Sequence, residues 1–200
     1  MKNYPSCLNN LIDCFKKLPG IGEKTAERLA LSIIELDKNT VELFSDSILS
    51  TKTKIKKCEK CHNYTEEELC QICKSDNRDL STICIVEEPK NITLFEKLGS
   101  YNGLYHVLDG LISPLDGINP EDINISSLIS RIEEENVKEV IIAVRPSIEG
   151  ETTALYISKL LEKMPVKVTK IAHGIPIGVD MEYIDSLTLE MALEDRKDVA

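Results

Sequence analysis

Four cysteines constrain this chain more than any other feature in it. Cys58, Cys61, Cys70 and Cys73 stand as C-x2-C-x8-C-x2-C in the segment CEKCHNYTEEELCQIC. Two thiols three residues apart chelate one metal from a single tight turn, and two such turns supply the four soft ligands of a tetrahedral zinc site. Four protein ligands leave no open coordination position, so the expected role of Zn2+ is structural. A redox pair would need one Cys-x-x-Cys at the head of a helix in a thioredoxin-like unit, and nothing else in the sequence supplies that setting. Residues 58–73 are too few and too polar to form an apolar core, so the metal must supply the free energy that orders them. His62, beside Cys61, is read as a solvated neighbour in preference to a spare ligand. The other three of the seven cysteines are read as small core hydrophobes: Cys7 and Cys14 on the apolar face of a helix, Cys84 inside a buried strand. An odd number clustered in this way does not make a secreted disulfide framework.

The two sides of this block differ in pattern. Upstream, apolar residues at 8, 11, 12 and 15 follow helical spacing, and a Pro-Gly turn ends that run. A second helix is predicted after Gly22, with Ala26, Leu29, Ala30, Ile33 and Ile34 on one face. A third spans about 39–56, with Leu43, Ile48 and Leu49 expected inward. Downstream, TICIVE (82–87), GLYHVL (103–108), EVIIAV (139–144) and VKVTKIA (166–172) read as buried strands. They alternate with helical stretches near 91–98, 126–135 and 151–163, which predicts a mostly parallel sheet wrapped by helices. Residues 109–125 read as a long loop, and a last helix is expected to start with Ser186 or Thr188 as its cap.

The formal net charge is −10, but it is segregated. Residues 1–57 hold ten Lys and Arg against seven Asp and Glu; residues 58–80 carry −3 and residues 81–200 carry −10. The cationic surplus surrounds LPGIGEKTAERLA, residues 18–30. Its glycines allow a tight turn and close backbone approach, and the helix that follows begins with N–H groups lacking intrahelical partners. Lys24 and Arg28, four residues apart, reach the same strand of phosphates. Such a grip does not address base edges, so Gly20, Gly22, Lys24 and Arg28 are candidate contacts to DNA without sequence specificity. The alternative is a plain connector between helices with solvated charges. The longest apolar runs, 82–86 and 140–144, are far short of a membrane span. The opening MKNYPSCLNNLIDCF breaks into Pro, Asn and Asp before any apolar core, so no secretion signal is read and a cytoplasmic location is expected.

Glu87 and Glu88 follow the first strand of the downstream unit, and Glu149 and Glu151 follow the third. The carboxyl ends of parallel strands share one sheet edge, so Glu87, Glu149 and Glu151 are expected to converge there, either to hold Mg2+ for phosphoryl chemistry or to dock a basic partner. This arrangement resembles the Toprim fold of topoisomerases, primases and some nucleases, whose active members carry Asp-x-Asp where this chain has Glu-x-Glu. Arg145 is close enough in sequence to neutralise the cluster. No nucleophile recommends itself, and His106 and His173 read as packing or loop residues, so no catalytic residue is assigned.

The pattern apolar-x-Gly-x-Gly-x-x-x-Ala-x-x-apolar between two amphipathic helices resembles the helix-hairpin-helix of DNA-repair proteins. Helix-hairpin-helix, four-cysteine block, Toprim-like unit and the closing AHGIPIGVDMEYIDSLTL follow one another as in the RecR family of bacterial recombination mediators. VEEPKNI, GLYHVLDGLISPLDGI and EGETTALYI add to the resemblance, which covers essentially the whole chain. It implies four parts: a helix-hairpin-helix DNA-binding and dimerisation unit over 1–57, a C4 zinc finger over 58–73, a Toprim domain over 81–175, and a C-terminal motif and helix over 176–200. It also implies a non-enzymatic clamp on single- and double-stranded DNA, a homodimer or a homotetramer ring, working with RecO and RecF to load recombinase onto gapped DNA. Lys24 and Arg28 match the family's DNA-binding positions, the four cysteines its zinc ligands, and the acids around Glu149 and Glu151 its partner-docking face. A ring would add the +3 units around a hole and turn the acidic units outward. A Mg-dependent Toprim nuclease or topoisomerase and a zinc-stapled scaffold without DNA contact are the competing classes. The chain departs from the family at Arg145, where Asn is typical, at Asn91, where Asp is frequent, and at Val179, where a second Gly is usual.

Overall fold

The computed structural model describes residues 4–172 and 174–196, so His173 lies outside the described residues. The chain divides into two compact units, Met1–Ile55 and Lys56–Ala200.

The first unit is helical: α1 (Ser6–Phe15), α2 (Glu23–Ile34) and α3 (Lys38–Lys54). Leu8 and Ile12 of α1 pack on Ala26 and Ala30 of α2, with Leu11, Phe15 and Ile21 half-buried around them. The two alanines let the helix axes approach closely, so a few side chains suffice to close this core. Cys7 and Cys14 are exposed, contrary to the expectation of core thiols. At 100° per residue they lie on one side of α1, a third of a turn or more from the centre of the Leu8–Ile12 stripe, which the paired helix does not reach. Ile34, in the last turn of α2, is likewise exposed.

The α3 helix departs further from expectation. Asp37 caps it by accepting the Thr40 N–H at 3.0 Å, yet none of its residues is buried. Leu43, Ile48 and Leu49 are 68%, 56% and 62% exposed. Successive rotations of about 140° and 100° place them nearly evenly around the helix, so no single face could hold all three. The helix is mostly polar, with its few apolar residues spread over several sides and left exposed.

The second unit begins with a two-strand ribbon, β1 (Lys56–Lys57) and β2 (Tyr64–Thr65), and the short α4 (Gln71–Lys74). There follow β3 (Asp79–Val86), α5 (Pro89–Leu98), β4 (Gly103–Val107), α6 (Ile125–Glu135), β5 (Glu139–Ala143), α7 (Ile148–Leu161), β6 (Lys167–Lys170) and α8 (Ser186–Glu194). The four longer strands form a parallel sheet in the order β4-β3-β5-β6, with Cys84 of β3 beside Tyr105 of β4 and Ile141 of β5. Both faces of β3, β4 and β5 are covered, which is why their central residues are apolar instead of alternating, whereas β6 at the sheet edge keeps an exposed lysine at each end. Ile83, Ile85 and Leu104 point to one face, under Leu128 and Ile132 of α6 and Ala154, Ile157 and Leu161 of α7. Cys84, Val86, Tyr105 and Val107 point to the other, against Ile92 and Phe95 of α5. Cys84 is thus a core residue as expected.

Residues 109–125 are more ordered than a plain loop. Ser113 and Ile118 form an isolated bridge, Ser113 Oγ donates to Asp116 Oδ2 at 2.6 Å, and Asn119 with Asp122 forms a reciprocal cap on a short 3-10 turn. The α8 helix is capped by Asp185, whose carboxylate accepts the Thr188 N–H at 2.9 Å, so the cap falls one residue before the predicted Ser186.

Candidate functional sites

The four sulfur atoms of Cys58, Cys61, Cys70 and Cys73 lie within 4.8 Å of one another. Cys58 and Cys61 sit in a turn closed by His62 N–H to Cys58 O at 2.9 Å, with His62 in the left-handed region at φ 60°. Cys70 and Cys73 occupy the N-cap and third residue of α4. The Cys70 N–H points to Cys58 Sγ at 3.3 Å, the contact that a thiolate ligand accepts. Hydrogen bonding between Cys61 and Cys70 pulls the Cys70 thiol below its ordinary range and pushes that of Cys61 up. A converging set of buried, soft donors fits Zn2+, which these four residues would hold without an open position.

His62 is not a ligand of that cluster, and it is half-buried instead of freely solvated. Its Nε2 lies 2.9 Å from Ser127 Oγ on α6, and its ring meets that of His106 edge-on at 5.2 Å. It belongs to a seam binding the cysteine knuckle to the outer side of β4. There the Val107 N–H donates to Cys61 O at 2.9 Å, Lys57 Nζ pairs with Asp109 at 2.6 Å, and Lys60 Nζ pairs with Glu135 at 3.1 Å.

An edge strand presents unpaired backbone groups, and here side chains and the knuckle satisfy them. Besides Cys61 O on the Val107 N–H, Asn124 Nδ2 donates to Val107 O at 3.1 Å and Arg131 Nη1 donates to Tyr105 O at 2.7 Å. Arg131 is 4% exposed, a buried cation that pattern reading passes over. The signal for it is a charged residue inside the apolar stripe of Leu128 and Ile132. Its Nε also pairs with Glu135 at 3.2 Å. Arg131→Met is expected to strand the Tyr105 carbonyl and to lower unfolding free energy by roughly 2–4 kcal/mol, as read by urea denaturation.

In the helical unit, the α1–α2 link turns through Gly20 at φ +80°, a conformation that suits glycine. Gly22 precedes α2 with no side-chain cap, so the first-turn N–H groups remain available. The acids of α2 are engaged: Glu23 pairs with Lys16, and Glu27 accepts the Tyr4 hydroxyl at 2.6 Å. Lys24 and Arg28 are exposed. The structure places Gly20, Gly22, Lys24 and Arg28 in one turn and the first two turns of the helix it opens.

The acidic residues only partly converge. Glu87, Asp116, Arg145, Ser147 and Glu149 line a recess of about 520 Å3 at the carboxyl ends of β3 and β5. Arg145 Nη2 lies 3.3 Å from Glu87 Oε1, and Ser147 Oγ donates to Glu149 Oε2 at 2.7 Å. Burial raises the Glu87 carboxyl above its usual range, against the pull of Arg145, whereas the Ser147 hydroxyl lowers that of Glu149. Glu151 does not join them. It pairs with Lys170 of β6 at 2.8 Å and lines a separate groove with Ile148, Leu155 and Met191. Both acids fall in the first turn of α7, where two residues apart means about 200° of rotation, so they face away from each other. Gly150 between them is buried, and a Cβ there would overlap the Arg145 carbonyl oxygen.

A parallel four-strand sheet with acids at its carboxyl edge, stapled by a four-cysteine knuckle and accompanied by a helical pair joined through Gly-x-Gly, defines a zinc-finger Toprim protein of the DNA-transaction class. Family models match the chain in that order: RecR, helix-hairpin-helix over residues 8–51; the RecR four-cysteine zinc finger domain over 55–75; Toprim domain over 81–172; and RecR, C-terminal over 174–197. The chain belongs to the RecR family, and its role lies in recombinational DNA repair. No helix among the described residues is long and apolar enough to cross a membrane.

Proposed function

We propose that this chain is a non-enzymatic DNA clamp that binds single- and double-stranded DNA without sequence specificity and, with RecO and RecF, helps load recombinase onto gapped DNA in the cytoplasm. The observation that carries the reading is the exposed, uncapped start of α2, where the neighbouring acids are occupied and Lys24 and Arg28 face solvent. Gly20 and Gly22 allow the backbone to approach a phosphate, and the two cations complete the contact. In this division of labour residues 1–57 hold DNA, residues 58–73 brace the fold around zinc, residues 81–175 meet partners through Glu87, Glu149 and Glu151, and residues 176–200 form the C-terminal motif and helix.

Assembly as a homodimer or homotetramer ring is supported by α3, whose Leu43, Phe44 and Ile48 are exposed without a covering surface among the described residues. Replacing all three by Ser is expected to reduce the mass measured by light scattering to that of a smaller species, with helicity retained by circular dichroism, because none of these side chains is in the core of the unit.

The test of the function is fluorescence anisotropy with single-stranded, duplex and gapped DNA of scrambled sequences over a range of salt. Affinity is expected to be independent of sequence. On duplex DNA, two cations per copy predict a slope of log K against log salt of about −1.8 for each engaged copy. Absence of binding at low salt would return the chain to the scaffold class. Mg-dependent strand scission by the wild type, lost in Glu87→Gln, would place it among Toprim enzymes.

A further inference from the structure

The Toprim sheet raises the question of a divalent cation, because acids at its carboxyl edge hold Mg2+ in members that act on phosphodiesters. The residues of this chain do not fit one. Among the described residues the four cysteines alone bring three or more potential ligand atoms within 4.8 Å, and no set of carboxylates does so. Glu151 is on the far side of α7 with Lys170. Glu149 is taken by Ser147, and Asp116 by Ser113. The position beside Glu87 is filled by a guanidinium.

We infer that Arg145 is the resident cation of this recess: its guanidinium stands where a divalent ion would sit and keeps such an ion out. Three features support this. The Glu87 side chain is 13% exposed, so its charge needs a nearby positive partner, and the Arg145 guanidinium is that partner at 3.3 Å. The Arg145 backbone is held in place, since its carbonyl accepts the Ser147 N–H at 3.0 Å and packs where Gly150 lacks a side chain. The guanidinium also presents a planar fork of donors that matches a carboxylate. A divalent ion entering the recess would meet a positive charge and carboxylates already bonded to hydroxyls, a poor exchange for its hydration shell. The recess is therefore an acidic pocket with an internal counter-ion, preformed for contact and closed to metal-assisted phosphoryl chemistry.

The test uses Mn2+ as a spin probe on the zinc-loaded, full-length protein, with zinc content and circular dichroism checked for each variant. The Arg145 side chain is 61% exposed, so its replacement removes little packing. The wild type is expected to show no Mn2+ site that Glu87→Gln removes. Arg145→Asp supplies a further carboxylate in place of the cation and is expected to bind Mn2+ at least about tenfold more tightly than the wild type, an increase cancelled by adding Glu87→Gln. Arg145→Ser, which removes the cation alone, is expected to fall between them. A wild-type Mn2+ site that depends on Glu87, or an Arg145→Asp variant that binds no better than wild type, overturns the inference.

Discussion

Removal of zinc, by chelation or by Cys58→Ser, is expected to melt the cysteine knuckle and to uncover the outer edge of β4. Zinc contributes roughly 10–16 kcal/mol in isolated finger peptides, far more than a four-residue helix and a two-strand ribbon contribute by themselves. The knuckle's own apolar contacts are Leu69 and Ile72 on its cysteines, with Ile72 reaching the clusters on the sheet, too little to replace the metal. With it go the Cys61 carbonyl on the Val107 N–H, the Lys57–Asp109 and Lys60–Glu135 pairs and the His62–Ser127 contact. Hydrogen exchange gives a sharp readout because neighbouring amides of one segment differ in partner. The Val107 amide should lose protection on zinc removal, while the Leu108 amide, bonded to Val86 O at 2.9 Å, should keep most of its own. An exposed parallel edge also templates self-association, so scattering should rise with time in the zinc-free sample. Equal protection of Val107 with and without metal would mean that the knuckle does not cover the edge.

The parts legible in the sequence are those whose chemistry is local. Cys58, Cys61, Cys70 and Cys73 can be read together because a two-residue gap between thiols has one dominant use. The strands β3 and β5 can be read because both faces are buried and their apolar runs are unbroken, as in Ile83 to Val86. Local reading fails where the question is which neighbour covers a surface. Apolar content suggests a core for α3, although the angular positions of Leu43, Ile48 and Leu49 already rule out a shared face. The exposure of Cys7 and Cys14 is set by how little of α1 a single partner helix reaches. Glu149 and Glu151 look like one site because they are close in sequence, whereas helical rotation sends them to different grooves. Arg131 escapes notice because a lone Arg in an apolar stripe reads as a solvated charge until the carbonyls of an edge strand need a donor. The cap of α8 shifts by one residue because Asp185 and Ser186 are both good caps, and only the backbone decides between them.

Reversing Lys24 and Arg28 together to Glu is expected to abolish DNA binding while leaving the fold intact. Phosphate contacts supply most of the affinity of a binder that reads no bases, and each lost contact removes the counterion release that goes with it. The two residues are one helical turn apart on an exposed face, so they address neighbouring phosphates instead of duplicating one contact. Reversal also puts two new negative charges beside the Gly20–Gly22 turn, repelling the ligand that the helix N-terminus attracts. The expected result is a loss of at least about a hundredfold in affinity near 0.1 M salt, with the salt slope on duplex DNA shallower by about 1.8 per engaged copy. Stability should change little, since neither residue makes an ion pair among the described residues and the core rests on Leu8, Ile12, Ala26 and Ala30. A Lys24→Gln, Arg28→Gln variant separates the two contributions: it removes the cations without adding repulsion, so its affinity should lie between wild type and the reversal. Wild-type affinity and slope in the doubly reversed protein, with an unchanged melting temperature, would move the DNA contact off α2 altogether.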